Sequence, residues 1–372
     1  DLCLFGMIGM LDPPRQGVKE ALSACRDAGI KVVMVTGDRA ETALAIGEQV
    51  GLAGDGDTED RAMTGTELQQ ALEAGDDRHE ELMRIPVFAR VTPEHKLRLL
   101  ELYQKHGYSV AMTGDGVNDA PALETANIGV AMGQRGTDAA RQAADMVLRD
   151  DAFSSIVAAV EQGRVIFKNI RKSVMFMLCT NVAEVIAVAV ASFIDLPLPL
   201  RALQILYLNV ITDVFPALAL SVGKGSQDVM KEKPRSESVL TRRNWKEIAA
   251  WGVIVSACVL AGLLIGQHWL GLSKPAAVTI SFLTLAFGKL TFTFNLRDRG
   301  SNFLRNDITR NPWVWGATAL CIALLLAAVY IPWLSGILNT VAPGFSGWLT
   351  IAGLALLPWC IGQVHRSFCG RQ

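Results

Sequence analysis

Residues 113–121 read Thr113-Gly114-Asp115-Gly116-Val117-Asn118-Asp119-Ala120-Pro121, and they follow a short apolar run at 108–112. Two carboxylates, an amide and two glycines in one turn suit a phosphate-plus-magnesium site at the end of a β-strand. Asp115 and Asp119 supply hard oxygen ligands for Mg²⁺. Gly114 and Gly116 let a phosphate approach the backbone closely. Asn118 has the chemistry to orient a phosphoryl oxygen or a metal-bound water. A shorter copy, Thr36-Gly37-Asp38, follows the apolar run 30–35. A single TGD also reads as a tight turn with an Asp cap. Two copies at strand ends, the second extended to GDGVNDAP, point to phosphate chemistry, with Thr36 and the Gly37 amide as donors to phosphoryl oxygens.

Working outward, strand-like runs at 4–10, 30–35, 87–90, 109–112 and 128–132 alternate with helix-like segments at 15–28, 40–50, 93–106 and 137–144. The Gly/Asp-rich residues 53–66 read as a surface loop. This alternation predicts a Rossmann-like parallel sheet covered on both faces, with ligands at the carboxyl ends of the strands. Thr92-Pro93-Glu94 has the pattern of an N-cap, a proline at N1 and an acid in the first turn. Lys96 therefore falls near a helix start, where a cation opposes the helix dipole at a cost of about 0.3–1 kcal/mol. A bound phosphate would reverse that sign; the alternative reading is a solvated surface lysine. Asp12-Pro13-Pro14-Arg15 reads as a stiff turn into a helix, and by itself suggests a hinge.

The second part of the chain is different. Between Ala152 and Pro197 there is no proline and one glycine, Gly163. A helix of that length reaches roughly 65 Å at 1.5 Å per residue, with a polar first half and an apolar second half. Further apolar spans fall at about 199–222, 246–270, 276–296, 313–334 and 346–366, making about six membrane helices. Connections near 224–246 and 297–310 are rich in Lys and Arg, whereas those near 195–200, 268–275 and 335–346 are almost uncharged. The positive-inside rule then places both termini in the cytoplasm. The expected domains are 1–151, soluble, and 152–372, a membrane domain whose first helix, about 152–195, is a stalk. With 35 basic and 36 acidic residues the formal net charge is −1, which gives no argument for a nucleic-acid partner. The seven cysteines include no CxxC pair and read as reduced and structural. The chain starts at Asp1, just ahead of a strand, which reads as an internal start.

Polar residues interrupt the apolar spans. Asn181 and Glu184 share one helix face, and Asn209, Thr212 and Asp213 share another. Pro216 follows within a turn and frees backbone carbonyls for other partners. A charge at mid-membrane costs about 2.5–3.5 kcal/mol on insertion scales, so these groups need a compensating role. Hydrogen bonding between helices accounts for the asparagines; a cation site built from carboxylates, amides, a hydroxyl and freed carbonyls accounts for all five. Lys289 lies in the span 276–296. Two readings stand for it: snorkelling to an interface, or pairing with Glu184 or Asp213 as a built-in counter-cation.

These motifs carry a resemblance. GMLDPPR (9–15), MVTGD (34–38), FARVTPEHK (88–96), TGDGVNDAPAL (113–123), NVAEV (181–185) and LNVITDVFPALAL (208–220) resemble the C-terminal portion of P-type cation-transporting ATPases, on the calcium-pump branch. The resemblance implies a haloacid-dehalogenase-like phosphorylation domain, here incomplete, followed by the membrane bundle. It implies ATP as substrate, Mg²⁺ as cofactor and an aspartyl-phosphate intermediate. Carried over by motif, Asp115 is an Mg²⁺ ligand, Asn118 and Asp119 complete the phosphate and metal network, and Lys96, Thr36 and Gly37 contact the phosphoryl group. Asp38 and Arg90 lie near the nucleotide. Asn181, Glu184, Asn209, Thr212 and Asp213 match ligands of the transported ion. The sequence departs from the two-site calcium pumps at Lys289, where an acidic ligand is expected, so two-ion stoichiometry is not implied. The family's DKTGT nucleophile motif does not occur in these residues. The expectation is a multi-pass piece, inactive alone and completed by the N-terminal part of the same pump. The alternatives are a non-catalytic truncated membrane protein and a subunit completed by a separate chain. A membrane-anchored phosphatase would need a DxD nucleophile at a strand end, and none is apparent.

Overall fold

The computed structural model describes residue 5 and residues 13–53, 62–74, 78–225, 229–232, 238–298, 301–302 and 305–369. The expected strand at 4–10 lies outside these residues except for Phe5, and so does Asp12 of the DPPR turn. The chain forms two units, one of residues 1–162 with 228–234, the other of 163–227 with 235–372.

In the first unit the elements run α1 (Val18–Asp27), β1 (Met34–Val35), α2 (Ala40–Gln49), β2 (Ala62–Thr64), α3 (Gly65–Glu73), α4 (His79–Leu82), β3 (Val87–Ala89), α5 (Pro93–Lys105), β4 (Ala111–Gly114), α6 (Ala120–Thr125), β5 (Ile128–Met132), α7 (Asp138–Ala143) and β6 (Met146–Leu148). The strands form two three-stranded parallel sheets, ordered β1-β3-β2 and β4-β5-β6. β3 is the middle of the first, and Val87, Phe88 and Ala89 are all fully enclosed, as a parallel strand covered on both faces requires. Phe88 packs with Leu68, Leu82, Ile85, Leu99 and Leu102. Leu123, Ala131 and Ala140 form a smaller core beside the second sheet.

Among the described residues the expected sheet is seen as two small ones, with the expected strand at 4–10 outside those residues. Among the described residues β1 pairs only with β3 and β4 only with β5, so no strand joins them. Three local expectations also change. The expected loop at 53–66 contains β2 and the start of α3, where Thr64 and Glu67 form a reciprocal capping box. Thr113 and Gly114, expected in the turn, close β4 by pairing with Val130 and Ala131. β6 was not anticipated; three residues are too few for alternation to register, and pairing with β5 makes them a strand.

In the second unit apolar length dominates. α8 (Phe153–Phe193), which starts in the first unit, is one helix of 41 residues, about 60 Å long. It is followed by α9 (Ala202–Leu208), a π-helical turn (Asn209–Asp213), α10 (Val214–Ser221), α11 (Arg242–Leu264), a second π-helical turn (Ile265–Trp269), α12 (Lys274–Thr293), α13 (Pro312–Tyr330), α14 (Pro332–Leu338) and α15 (Gly344–Cys369). Six helical stretches among the described residues are long and apolar enough to cross a membrane. The stretch beginning with α12 is central: 83% of its apolar window is enclosed by protein, against 22–44% for the other five. The polar face of α8 is also used. Lys172 reaches Asp298 at 2.7 Å and Asp307 at 2.5 Å, while Asn169 and Ser173 donate to carbonyls within α10 and just beyond it.

Candidate functional site

Two groups of polar residues stand out, one in each unit. The first is at the carboxyl end of β4. Thr92 caps α5 by accepting the His95 N–H, Pro93 takes the first turn, and Lys96 follows. Lys96 Nζ donates to Asp119 Oδ1 at 2.7 Å. The N–H groups of Asp115 and Gly116 donate to the other oxygen, Oδ2, at 3.3 and 3.2 Å. Asp119 is only 7% exposed. It can turn inward because residue 114 is glycine: a Cβ there would lie 2.5 Å from the Asp119 Cβ. Asp115 and Asn118 are exposed at the rim, and the Asp115 carbonyl accepts the Thr137 N–H at the start of α7. Among the described residues, no group of three or more His, Cys, Asp or Glu converges as a metal site.

The Thr36-Gly37-Asp38 turn leaves β1 and is stitched to the chain after β3. Thr36 N–H donates to the Phe88 carbonyl, Arg90 N–H to Asp38, and Val91 N–H to Thr36, at 2.9–3.0 Å. The expected nucleotide residues Asp38 and Arg90 are therefore neighbours through the backbone, and both are exposed. Arg90 holds a positive φ of 51°, rare for a residue with a side chain.

Burial by itself would raise the Asp119 pKa. The hydrogen bond and charge of Lys96, with the N–H groups of Gly116 and Asp115, outweigh it and hold the carboxyl below its usual range. A depressed folded-state pKa means stability that is full above the unfolded value, about 3.9, and lost as pH falls through the folded value. Thermal unfolding of the purified chain should show Asp119→Asn less stable than wild type at pH 7. That gap should shrink steadily below about pH 4; a gap independent of pH would contradict this account.

The second group lies between membrane-spanning helices. Lys289 on α12 is fully enclosed, and its Nζ sits 2.5 Å from Glu184 Oε1 on α8 and 2.8 Å from Asp213 Oδ1 in the π-helical turn. Glu184 and Asp213 are 6% and 2% exposed. The Asn209 amide, in the orientation that satisfies its hydrogen bonding, donates to both Glu184 oxygens at 3.3 Å. Thr212 Oγ1 donates to the Leu208 carbonyl at 2.9 Å. Asn181 Oδ1 is buried without a hydrogen-bond partner. Lys289 does not reach the protein surface. An ammonium shared by two enclosed carboxylates lowers their mutual repulsion and the cost of burying all three.

Sequence reasoning missed other residues. Asp151, in a positive-φ conformation (52°), accepts the N–H groups of Gln134 and Arg135 at 3.0 and 3.1 Å. Arg15, from the DPPR turn, donates to the Asp151 carbonyl. Two residues before α8, Asp151 thereby fixes the start of that helix to the loop after β5. The Asp150-Asp151 pair just ahead of a long helical pattern was an available capping signal. The partners of Lys172 had none, because Asp298 and Asp307 are distant in sequence.

Comparison with known proteins covers both units. Residues 3–127 and 96–160 match two family models, each described as haloacid dehalogenase-like hydrolase, and residues 197–368 match one described as cation transporting ATPase, C-terminus. A calcium-transporting ATPase of Bacillus subtilis is 40% identical over 364 residues, which cover 96% of this chain and 40% of that protein. The rat calcium-transporting ATPase type 2C member 2 is 36% identical, covering 100% of this chain and 39% of the relative. A P-type sodium-transporting ATPase4 of Toxoplasma gondii is 44% identical over 72% of this chain and 21% of its own length. The fold is a dehalogenase-like α/β unit joined in one chain to a multi-pass helical membrane bundle. The chain belongs to the P-type ATPase family, in its calcium-pump-like branch. It spans about 40% of the length of the first of these relatives.

Proposed function

We propose that this chain is the C-terminal part of an ATP-driven cation pump that works through an aspartyl-phosphate. The aspartate, the rest of the nucleotide site and the remaining membrane helices come from the N-terminal part of the same protein. The observation that carries this reading is the enclosed Glu184–Lys289–Asp213 group inside a bundle of apolar helices. Buried charge in a membrane is costly, and transport is the use that best repays it.

At the end of β4, Lys96 neutralises negative charge on the phosphoryl group, while Asp119 holds that ammonium in place. Both Asp119 oxygens already accept protein donors, so the exposed Asp115 is the carboxylate open to Mg²⁺. A magnesium ion completed by water and phosphate oxygens needs only one or two protein carboxylates, which fits this donor set, and it supplies charge neutralisation. Asn118 orients a phosphoryl oxygen or a water, Thr36 and the Gly37 amide donate to phosphate, and Asp38 and Arg90 border the nucleotide. In the membrane, Asn181, Glu184, Asn209, Thr212 and Asp213 bind the transported cation. Lys289 is a built-in counter-cation that takes the place of a second ion. α8 is the stalk linking phosphorylation to this site, and the basic connections support a phosphorylation domain on the cytoplasmic side.

Calcium is the first candidate ion, from the names of most of the relatives, and the sodium-transporting relative keeps Na⁺ on the panel. The test is ATPase activity of the full-length protein against Ca²⁺, Mn²⁺, Na⁺ and pH. One cation should stimulate turnover, and Asp213→Asn should abolish that stimulation. Failure of every cation would instead favour a non-catalytic membrane protein. The chain alone should form no acid-stable phosphoenzyme from labelled ATP.

A further inference from the structure

We propose that Tyr207 and Cys321 are positioning residues that set the register of the π-helical turn and so aim Asp213 at Lys289 and the cation. The inference rests on the cation site proposed above.

The argument begins at Pro216. A proline has no N–H, so the carbonyls four and five residues earlier, Thr212 and Ile211, lose the donor that a helix would supply. In a membrane an unpaired carbonyl has no water to turn to. A donor comes from another helix: Cys321, fully enclosed on α13, places Sγ 3.2 Å from the Ile211 carbonyl. One turn earlier on the same face, Tyr207 donates its hydroxyl to the Leu324 carbonyl of α13 at 2.7 Å. The two bonds run in opposite directions between the same pair of segments. Together they resist both rotation and sliding of the turn.

Asp213 lies two residues beyond Ile211. Moving the turn by one residue would swing its carboxylate about 100° around the helix axis, away from Lys289. The Tyr207 ring also lies against Phe282 of α12, with centroids 6.5 Å apart. Phe282 is two helical turns before Lys289, so the same tyrosine packs on the helix that presents the ammonium. A thiol is a weak donor. Its value here is that it fills the place of the N–H that Pro216 lacks.

The test uses Tyr207→Phe, Cys321→Ala and Cys321→Ser in the full-length protein. Tyr207→Phe and Cys321→Ser nearly preserve shape, and the serine keeps a donor. The first measurement is labelling of Asp213 by dicyclohexylcarbodiimide, an apolar carboxyl reagent, read by mass spectrometry without reference to activity. Labelling should rise about three- to tenfold in Tyr207→Phe and Cys321→Ala, the factor one net hydrogen bond supplies, and stay at the wild-type level in Cys321→Ser. The second is the half-saturating concentration of the stimulating cation, which should rise by a similar factor while KM for ATP is unchanged. Wild-type labelling in both Tyr207→Phe and Cys321→Ala would overturn the proposal. A wild-type protein that no cation stimulates would instead count against the pump reading, and the labelling result would still decide the role of these two residues.

Discussion

Lys289→Met should destabilise the cation-free protein by about 3–5 kcal/mol, the usual cost of removing one partner from a buried ion pair. Lys289 is 0% exposed and touches both Glu184 and Asp213, so its loss leaves two enclosed carboxylates facing each other. The same change adds one net negative charge to the proposed cation site. Divalent cations should then bind about tenfold or more tightly, because a unit charge a few ångströms away is worth several kcal/mol even at an effective dielectric constant near 20. Thermal unfolding with and without Ca²⁺ separates the two effects: the variant should melt early without the ion and recover with it. The double variant Lys289→Met with Glu184→Gln should regain most of the lost stability, since its charge count matches the original. If the single variant kept wild-type stability and cation dependence, Lys289 would be a bystander to transport.

The second large effect is expected at Lys96. Lys96→Ala in the full-length protein should slow phosphoenzyme formation from ATP about 10²–10³-fold, the loss seen when a preorganised donor to a charge-developing oxygen is removed. The salt bridge to Asp119 is part-exposed, at 19% and 10% for the two side chains. The N–H groups of Asp115 and Gly116 stay on the enclosed carboxylate, so losing one part-enclosed partner should cost about 1 kcal/mol and lower the melting temperature by only a few degrees. Slow phosphorylation in a protein of near-normal stability is the signature of a phosphate contact. A large stability loss with normal phosphorylation would make Lys96 a structural partner of Asp119 and nothing more.

Much of the architecture is legible in the amino-acid sequence. The Thr92 cap, the proline after it, the strand at 128–132 and the long helix from 153 rest on local rules of capping, alternation and apolar length. Other features were not local. β6 is a strand only because β5 lies beside it. Which strands pair is equally non-local: among the described residues β1 lies beside β3 and β4 beside β5. The composition of TGDGVNDAP suggested Asp115 and Asp119 together as ligands for Mg²⁺. The structure turns Asp119 inward onto Lys96, through the gap that Gly114 leaves, and keeps Asp115 at the rim.

The amino-acid sequence by itself determined the two kinds of unit, the strand-end turns and the set of polar residues carried into the bilayer. These depend on composition and on periods of two or 3.6 residues, which act over a few positions. Only the tertiary structure decided which carboxylates Lys289 neutralises and which helix supplies a donor to the Ile211 carbonyl. Lys289 and Asp213 are 76 positions apart, and Cys321 and Ile211 are 110 apart. Such pairs are selected by the packing of whole helices around α12, where a buried charge or carbonyl must find whatever partner the bundle brings within reach.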